Sequence, residues 1–296
     1  MVRFILLLCV IFCVSGVFAQ ESALRPSPEI PAWIPIFKGV EKTSAVSTQP
    51  RLQQVFAVRI DTQAEGISFF STPKIAEKNT VTEKQETIRQ QTNEFLNKYS
   101  LQVAVNANFF SVPKNEKYSL PGTADLKGLA VSDGSMVSPP EEQPTASFIV
   151  LKTGKVTLKN DLVTDSMMAD IHTAVTGNTF ILCHGKIIPQ TNNDIHPRTL
   201  CGISRDNRYV VFVTIDGRRN GYSDGATYEE SAQWLCYFGV WDGLNLDGGG
   251  STTLVVQDEK GTPVILNRPS DKTLRYNGNN LGVKALPLPK QVEQQP

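Results

Sequence analysis

The chain has 296 residues, of which 40% are hydrophobic and 20% charged, and its 29 Lys and Arg residues balance its 29 Asp and Glu residues. This composition is typical of a globular protein with one sizeable core. The even charge argues against a nucleic-acid partner, which requires a basic surface. Three His residues and the absence of a Cys-x-x-Cys pair also argue against zinc-dependent hydrolysis. Zinc-dependent hydrolysis is therefore not predicted; no metal ligand and no cofactor is assigned, and the sequence leaves open whether a metal is bound.

Residues 1–19 have the pattern of a signal peptide. Arg3 precedes an apolar run from Phe4 to Val14, and Val17 and Ala19 stand where a signal peptidase requires small residues. The run is shorter than the roughly 20 apolar residues that span a bilayer, and a retained anchor is the alternative. We predict cleavage after Ala19 and a secreted or periplasmic protein without membrane attachment.

Proline-rich segments flank the expected folded unit. Residues 20–50 contain five prolines among Ser, Thr and Glu, a composition that favours extended conformations and seldom packs a core. This segment is predicted to be a linker or an N-terminal arm, and residues 287–296 to be a disordered tail. The predicted folded domain then covers residues 51–286.

Short stretches of alternating hydrophobicity dominate the folded unit. The strands predicted in this way are Val55–Ile60, Ile67–Phe70, Leu101–Val105, Phe148–Leu151, Lys155–Leu158, Arg208–Ile215 and Thr253–Val256. One helix is predicted over Thr82–Tyr99, with Thr82 and Gln85 as a capping box, and another over Thr227–Phe238, ended by Gly239. The expected fold class is α+β, with a twisted, largely antiparallel or mixed sheet and two main helices.

Three cysteines remain after cleavage of the signal peptide: Cys183, Cys201 and Cys236. At most one disulfide can form among them, so the protein is not a disulfide scaffold. The apolar neighbours of Cys201 and Cys236 favour thiols buried in the core, and one disulfide is the alternative.

The segment Gly221–Gly225 matches G-x-S-x-G, the nucleophile elbow of serine hydrolases. In that fold the acid and then the His follow the Ser in the chain. Here the last His is His196, which precedes Ser223. A serine triad is therefore rejected.

The segment Asn245–Thr253 contains three consecutive glycines, Gly248, Gly249 and Gly250. Glycines lose backbone entropy on folding, so three in a row indicate a backbone that approaches another group closely. Their N–H groups can line an anion nest, and a simple turn between strands is the alternative. No Lys follows the glycines and the next segment is strand-like, which excludes dinucleotide and P-loop sites.

Two carboxylates have both a chemical and a structural interpretation. Asp216 ends a predicted strand and is followed by Arg218, where charged side chains can also be solvated turn residues. Glu230 stands three residues after Thr227, a capping-box spacing, so it can serve only to hold the helix start. The sequence leaves both interpretations open.

These segments resemble the phosphodiester glycosidase family between about residues 100 and 283. The matching segments are Ala104–Phe110, His196–Thr199, Asp216–Arg218, Gly225–Thr227 with Glu230, Asn245–Thr252, and Asn267 with Arg275. The resemblance implies hydrolysis of a glycosyl-1-phosphodiester, similar to an N-acetylglucosamine-1-phosphodiester, to free sugar and a phosphomonoester. A bacterial glycan or exopolysaccharide is the expected partner, and no cofactor is implied.

The resemblance also assigns candidate residues. Asp216, Glu230 and Asp247 are the catalytic candidates, and which of them is the base stays open. The candidate substrate-binding residues are Arg198, Arg218, Asn106, Asn108, Thr227, Asn245, Gly248, Gly249, Gly250, Ser251 and Thr252. The planar guanidinium of arginine can donate two parallel hydrogen bonds to phosphate oxygens. The asparagine side chains can form hydrogen bonds with sugar hydroxyls.

Two other functions stay open at this point. The protein could bind or assemble glycans without hydrolysis, or it could be a phosphodiesterase that cuts the P–O bond. The stereochemical outcome and the oligomeric state do not follow from the sequence.

Overall fold

The computed structural model describes residues 28–76, 85–141, 145–160 and 163–289. The predicted signal peptide and most of the predicted tail lie outside these residues. In chain order the strands are β1 (Ile34–Phe37), β2 (Val40–Ser47), β3 (Gln53–Asp61), β4 (Ser68–Ser71), β5 (Thr87–Ile88), β6 (Val103–Asn106), β7 (Phe110–Ser111), β8 (Thr123–Leu126), β9 (Ala130–Ser132), β10 (Ser135–Ser138), β11 (Ala146–Leu151), β12 (Val156–Lys159), β13 (Ile171–Gly177), β14 (Thr179–Cys183), β15 (Lys186–Ile187), β16 (Arg198–Ile203), β17 (Tyr209–Ile215), β18 (Asp242–Asn245), β19 (Leu254–Gln257), β20 (Pro263–Ile265) and β21 (Asn280–Lys284). The helices are α1 (Thr92–Lys98), α2 (Asp165–Met168) and α3 (Tyr228–Tyr237).

The strands form four sheets. An eight-stranded sheet has the order β1-β2-β3-β17-β16-β18-β14-β15, and two five-stranded sheets have the orders β10-β9-β13-β11-β12 and β20-β19-β6-β21-β4. A small sheet joins β5, β8 and β7. Neighbouring strands in the described residues are antiparallel, which confirms the predicted pairing. With 41% strand and 10% helix the protein is mainly β, so α+β is only a rough description.

The main core lies between the eight-stranded sheet and the two five-stranded sheets. Phe212 on β17, Val105 on β6 and Phe148 on β11 belong to one buried cluster. On the opposite face of β17, Val211 and Val213 pack in a second cluster with Trp234 of α3. Because β17 is covered on both faces, its sequence is almost continuously apolar rather than alternating.

Residues 34–47 correct the predicted linker. They form β1 and β2, and β2 pairs with β3 in a continuous register from Val40↔Ile60 to Ser47↔Gln53. Pro35 is tolerated because β1 is an edge strand, where a missing N–H breaks no interior hydrogen bond. The folded unit therefore begins near residue 34 rather than 51.

The two predicted helices have different outcomes. The second is confirmed: Thr227 Oγ1 accepts the Glu230 N–H at 3.2 Å, Glu230 Oε2 accepts the Thr227 N–H at 3.1 Å, and Gly239 follows with φ of +80°. The first is wrong between residues 85 and 91, because α1 begins only at Thr92. Before it, the Arg89 N–H bonds to Gly122 O and the Gln90 N–H to Asn277 O, so these donors pair with residues that are distant in the sequence. Thr82 lies outside the described residues.

The structure also tests the predicted strands and the state of the three cysteines. Each predicted strand overlaps an observed one. Cys183, Cys201 and Cys236 are all free thiols, with Cys201 buried, so the disulfide alternative is wrong. Within the described ranges no helix is both long and apolar enough to cross a membrane.

Candidate active site

The glycine-rich segment makes a tight connection between β18 and β19. Gly249–Ser251 form one 3₁₀ turn, and Gly249 has φ of +62°, a conformation that favours glycine. A Cβ on Gly249 would lie 3.2 Å from both terminal nitrogens of Arg218, and a Cβ on Gly250 would lie 2.2 Å from Nη2 of Arg275. Two guanidinium groups therefore pack against this backbone, and the positive φ favours glycine at position 249.

The anion nest predicted from these glycines is only partly available. The Gly249 N–H already donates to Pro197 O at 2.9 Å. A Cβ on Gly248 would also meet Pro197 O, at 2.6 Å. This turn therefore offers an anion mainly side-chain donors, from arginines, rather than a row of free N–H groups.

Asp247 precedes the glycines and is the carboxylate with the most unusual environment. Burial raises its pKa to about 6, against the opposing effects of a hydrogen bond from Ser251, the charge of Arg275 and the Gly248 N–H. Its backbone is fixed at both ends, since its N–H donates to Ala107 O at 2.9 Å and its carbonyl accepts Asn106 Nδ2 at 2.6 Å. A carboxylate with a pKa near neutrality can exchange protons at working pH.

Arg275 is held beside this turn by a second carboxylate. Its Nη2 donates to Asp271 Oδ2 at 2.8 Å and its Nη1 to Ser251 Oγ at 3.3 Å, and its guanidinium lies 4.8 Å from the centre of the Tyr118 ring. Asp271 was not among the residues predicted from the sequence. The only feature of the sequence that indicates this ion pair is the spacing of four residues between Asp271 and Arg275.

Arg218 is the exposed cation of the site. It has φ of +59°, unusual for a non-glycine residue, and its Nη2 lies 3.2 Å from His196 Nδ1. Burial and the charges of Arg198 and Arg218 lower the pKa of His196. His196 is therefore neutral near pH 7 and can accept a hydrogen bond from Arg218, which orients the guanidinium.

Asp216 lies at the end of β17 and is enclosed, being only 1% exposed. It accepts Asn267 Nδ2 at 2.9 Å, the Arg268 N–H at 2.8 Å and the Tyr222 hydroxyl at 3.0 Å. Burial raises its pKa. Asn267 in turn donates to Thr252 O at 3.1 Å, so Asp216 positions the end of the glycine-rich turn. A direct catalytic role for Asp216 stays a prediction.

Ser223, the serine of the G-x-S-x-G match, is fully buried. Its hydroxyl donates to Asp216 O at 2.6 Å and accepts the Gln54 N–H at 3.0 Å. It serves to hold the loop after β17, which agrees with the rejection of a serine triad.

The three candidate asparagines are at most 1% exposed and support the framework. Asn106 Oδ1 accepts the Thr253 N–H at 3.1 Å, and Asn108 Nδ2 donates to Lys127 O at 3.0 Å. Asn245 Nδ2 donates to Leu246 O at 2.8 Å. These side chains are buried, and their predicted role as sugar contacts stays a prediction.

Arg198 is also largely buried, with 5% exposure. Its Nε donates to Ala226 O at 2.8 Å and its Nη2 to Asp194 O at 2.6 Å, while its face lies 4.1 Å from the centre of the Tyr228 ring. Burial lowers its pKa. The guanidinium that was expected to hold phosphate instead connects β16 to the segment before α3.

Thr227 and Glu230 lie on the wall of a cavity of about 590 Å³ at the N-terminus of α3. Glu230 Oε2 accepts Gln53 Nε2 at 2.9 Å, and its Oε1 lies 3.1 Å from Arg51 Nη2. The other lining residues are Gln49, Pro50, Asn193, Glu229 and Gln233. Of the predicted site residues, the glycine-rich turn brings together Asp247, Arg218, Gly248–Gly250 and Ser251. Thr227 and Glu230 line the cavity at the N-terminus of α3 instead.

The two remaining candidates are the last residue of the turn, Ser251, and the residue after it, Thr252. Ser251 and Thr252 are fully buried, and Thr252 Oγ1 accepts the Thr199 hydroxyl at 3.3 Å. The Thr252 side chain connects the turn to β16. The Ser251 hydroxyl accepts a hydrogen bond from Arg275 and so holds Arg275 against the turn.

The sequence profile of the phosphodiester glycosidase family matches residues 99–284. The chain belongs to the phosphodiester glycosidase family. The match includes β16 to β19, and with them Asp247, Arg218 and Arg275.

Solved structures share the fold at low sequence identity. The catalytic domain of zebrafish N-acetylglucosamine-1-phosphodiester α-N-acetylglucosaminidase, auto-inhibited by its pro-peptide, is 17% identical, with a TM-score of 0.62 over 87% of this chain and 88% of that one. A hypothetical protein from Synechocystis is 14% identical, with a TM-score of 0.58 over 85% and 64% of the two chains. A protein of Burkholderia pseudomallei K96243 that is described as exported is 13% identical, with a TM-score of 0.58 over 80% and 74%. No curated protein matches the chain in sequence.

Proposed function

We propose that this phosphodiester glycosidase hydrolyses the bond between the anomeric carbon of a sugar and a phosphodiester oxygen. The products are free sugar and a phosphomonoester, and the substrate resembles an N-acetylglucosamine-1-phosphodiester. The observation that carries the proposal is the pairing, on one glycine-rich turn, of a carboxyl group with a pKa of about 6 at Asp247 and two guanidinium groups packed on the glycines.

The leaving group determines which residues the reaction needs. A departing phosphomonoester has a second pKa near 6, so it leaves as an anion without protonation by a strong acid. Stabilisation of negative charge then matters more than a pair of carboxylates. Arg218 and Arg275 supply that stabilisation, with Arg218 the more exposed of the two.

Asp247 is assigned the role of general base toward water. Above pH 6 its carboxylate is mostly ionised, and its raised pKa makes it a stronger base than an ordinary aspartate. Ser251 and Arg275, which interact with this carboxylate, fix its orientation. Asp216 acts through Asn267 on the same turn and is a positioning residue in this scheme.

The cavity beside α3 supports a binding role for Thr227 and Glu230. Its wall presents amide, hydroxyl, carboxylate and guanidinium groups, which suit the hydroxyls of a glycan. The signal-like residues 1–19 and the resemblance in fold to an exported protein support action outside the cytoplasm, on a glycan or exopolysaccharide.

Hydrolysis of a synthetic N-acetylglucosamine-1-phosphodiester in ¹⁸O-labelled water tests the proposal. We expect ¹⁸O in the released sugar and none in the phosphomonoester, because the C–O bond is cut. Label in the phosphate would identify a P–O phosphodiesterase instead. Binding without any product would identify a glycan-binding protein.

A further inference from the structure

A group of three potential metal ligands lies far from the glycine-rich turn. Cys183 and His184 stand at the turn between β14 and β15, and Asp242 begins β18. The Cys183 Sγ, His184 Nδ1 and an Asp242 carboxylate oxygen all lie within 4.8 Å of one another, with Sγ and Nδ1 3.2 Å apart. The proposed function uses none of these residues.

This group is at the opposite end of β18 from the proposed catalytic residues. Asp242 is the first residue of β18, and Asn245 is the last, with Asp247 beyond it. Because a strand rises about 3.3 Å per residue, five residues separate the two carboxylates by roughly 15 Å. A ligand held at Asp242 therefore cannot take part directly in chemistry at Asp247.

The turn that carries the ligands is held in place by two backbone N–H groups, one of which bonds to the Asp242 carboxylate. The His184 N–H donates to Asp242 Oδ1 at 2.6 Å, and the Gly185 N–H donates to Trp241 O at 2.8 Å. Gly185 also packs so closely on the Trp241 ring that a Cβ there would lie 2.6 Å from it. These contacts fix the hairpin against β18, so the three side chains are already gathered before any ion arrives.

The chemistry of the group selects a class of ion. Thiolate, imidazole and carboxylate are all ligands of zinc, at about 2.3, 2.0 and 2.1 Å, and these lengths require ligand atoms within roughly 3.5 Å of one another in a tetrahedral site. The Sγ to Nδ1 distance already satisfies this, and Asp242 needs only a small side-chain adjustment. Calcium and magnesium prefer oxygen ligands throughout, so a sulfur and a nitrogen exclude them.

We propose that Cys183, His184 and Asp242 form a binding site for one divalent transition-metal ion of the zinc type. The ion has three protein ligands and a water, and it joins the β14–β15 hairpin to β18. Its role is to stabilise this edge of the eight-stranded sheet, separately from hydrolysis.

Calorimetric titration of the chelator-treated protein with Zn²⁺ tests the proposal. We expect one ion per chain at neutral pH and weaker binding at acid pH, since the ligands must lose protons. Titration with Co²⁺ is expected to produce a thiolate-to-metal charge-transfer band, which reports a Cys ligand directly. Absence of stoichiometric binding, or of the band, would overturn the proposal.

Variants identify the ligands. Cys183→Ser is expected to abolish the band and to weaken Zn²⁺ binding at least tenfold. His184→Asn serves as a second variant, because Asn tolerates the positive φ of 50° at this position, and it is also expected to weaken binding. Cys236→Ser, at another partly buried free thiol, is the matched control and must leave both signals unchanged.

Thermal unfolding separates a bound ion from an incidental one. Zn²⁺ is expected to raise the Tm of the unsubstituted protein and not that of Cys183→Ser. An unchanged Tm in both would mean that the ion does not join the hairpin to β18. Because these measurements do not use hydrolysis, they stand or fail independently of the proposed function.

Discussion

The glycine-rich turn and the N-terminus of α3 each place a carboxylate beside an arginine, but the two carboxylates have different surroundings. Glu230 caps α3 and accepts a hydrogen bond from Gln53 Nε2. Its Oε1 also forms an ion pair with Arg51 Nη2 at 3.1 Å. Asp247 is half-buried, and its pKa rises to about 6 because desolvation outweighs the hydrogen bonds from Ser251 and the Gly248 N–H and the charge of Arg275. A carboxylate whose partners form a helix cap and an ion pair holds structure, whereas one whose desolvation outweighs its partners retains proton affinity that a reaction can use.

The largest expected effect follows from Asp247→Asn. Loss of the base is expected to lower kcat by about 10²-fold or more, while the near-identical shape leaves the Tm largely unchanged. Hydrolysis of the synthetic N-acetylglucosamine-1-phosphodiester measures the rate, with Asp170→Asn at an exposed position as the control. A near-native rate in Asp247→Asn would remove Asp247 from the mechanism.

The variants Arg218→Lys and Arg198→Lys extend the comparison to an exposed and a buried arginine. Arg218→Lys keeps the charge and loses the fork, so we expect kcat/KM for the phosphodiester to fall about 5- to 150-fold, corresponding to about 1 to 3 kcal/mol. The same sugar linked to a simple alcohol is expected to show little change, because no phosphate is present to be held.

Arg198→Lys is expected to behave differently from Arg218→Lys. Its guanidinium serves backbone carbonyls, so the variant should have a lower Tm and should affect both substrates equally. A loss at Arg198 that is specific to the phosphodiester would restore its predicted role in phosphate binding.

The pH dependence of the rate tests the environment of Asp247. Since its pKa is raised to about 6 and the base form is active, kcat/KM is expected to be constant above this pH and to fall about tenfold per unit below it. An ordinary aspartate would move this fall to near pH 4. The residual rate of Asp247→Asn should lack the slope at pH 6.

The smallest expected effect is that of Glu230→Gln. Glutamine can still accept the Thr227 N–H in a capping box, so kcat should change by less than about threefold. The loss of the ion pair with Arg51, in which Glu230 is the buried partner, is expected to reduce stability by about 1 to 3 kcal/mol. A large fall in kcat with an unchanged Tm would show that Glu230 takes part in the chemistry and that the comparison above is wrong.

Local patterns predicted much of the fold. The capping box of Thr227 and Glu230 and the terminal Gly239 located α3, because these signals lie within a few residues of one another. The start of α1 was wrong because the preceding residues pair with Gly122 and Asn277, and no local pattern encodes partners so distant. Strand β2 was missed because only Val40, Ala45 and Val46 of its eight residues are apolar and prolines surround it.

The candidate site was predictable in outline only. Three glycines indicated a close approach, and the structure identifies the approaching groups as Arg218 and Arg275. The sequence could not rank Asp216 against Asp247, since the donors that enclose Asp216 come from Asn267 and Arg268, about fifty residues further along. Exposure, which separates the buried Asp216 from the partly exposed Asp247, is a property of the assembled sheets.

The pairing of β2 with β3 has a practical consequence for producing the protein. A chain shortened to begin at residue 51, as its proline content would suggest, lacks β2 and exposes the backbone of β3 along its nine residues. An exposed strand of this length, rich in valine and isoleucine, offers a template on which other chains aggregate. Shortened versions intended for expression or crystallisation should therefore begin before Trp33, whose ring contacts Phe238 and seals this end of the sheet.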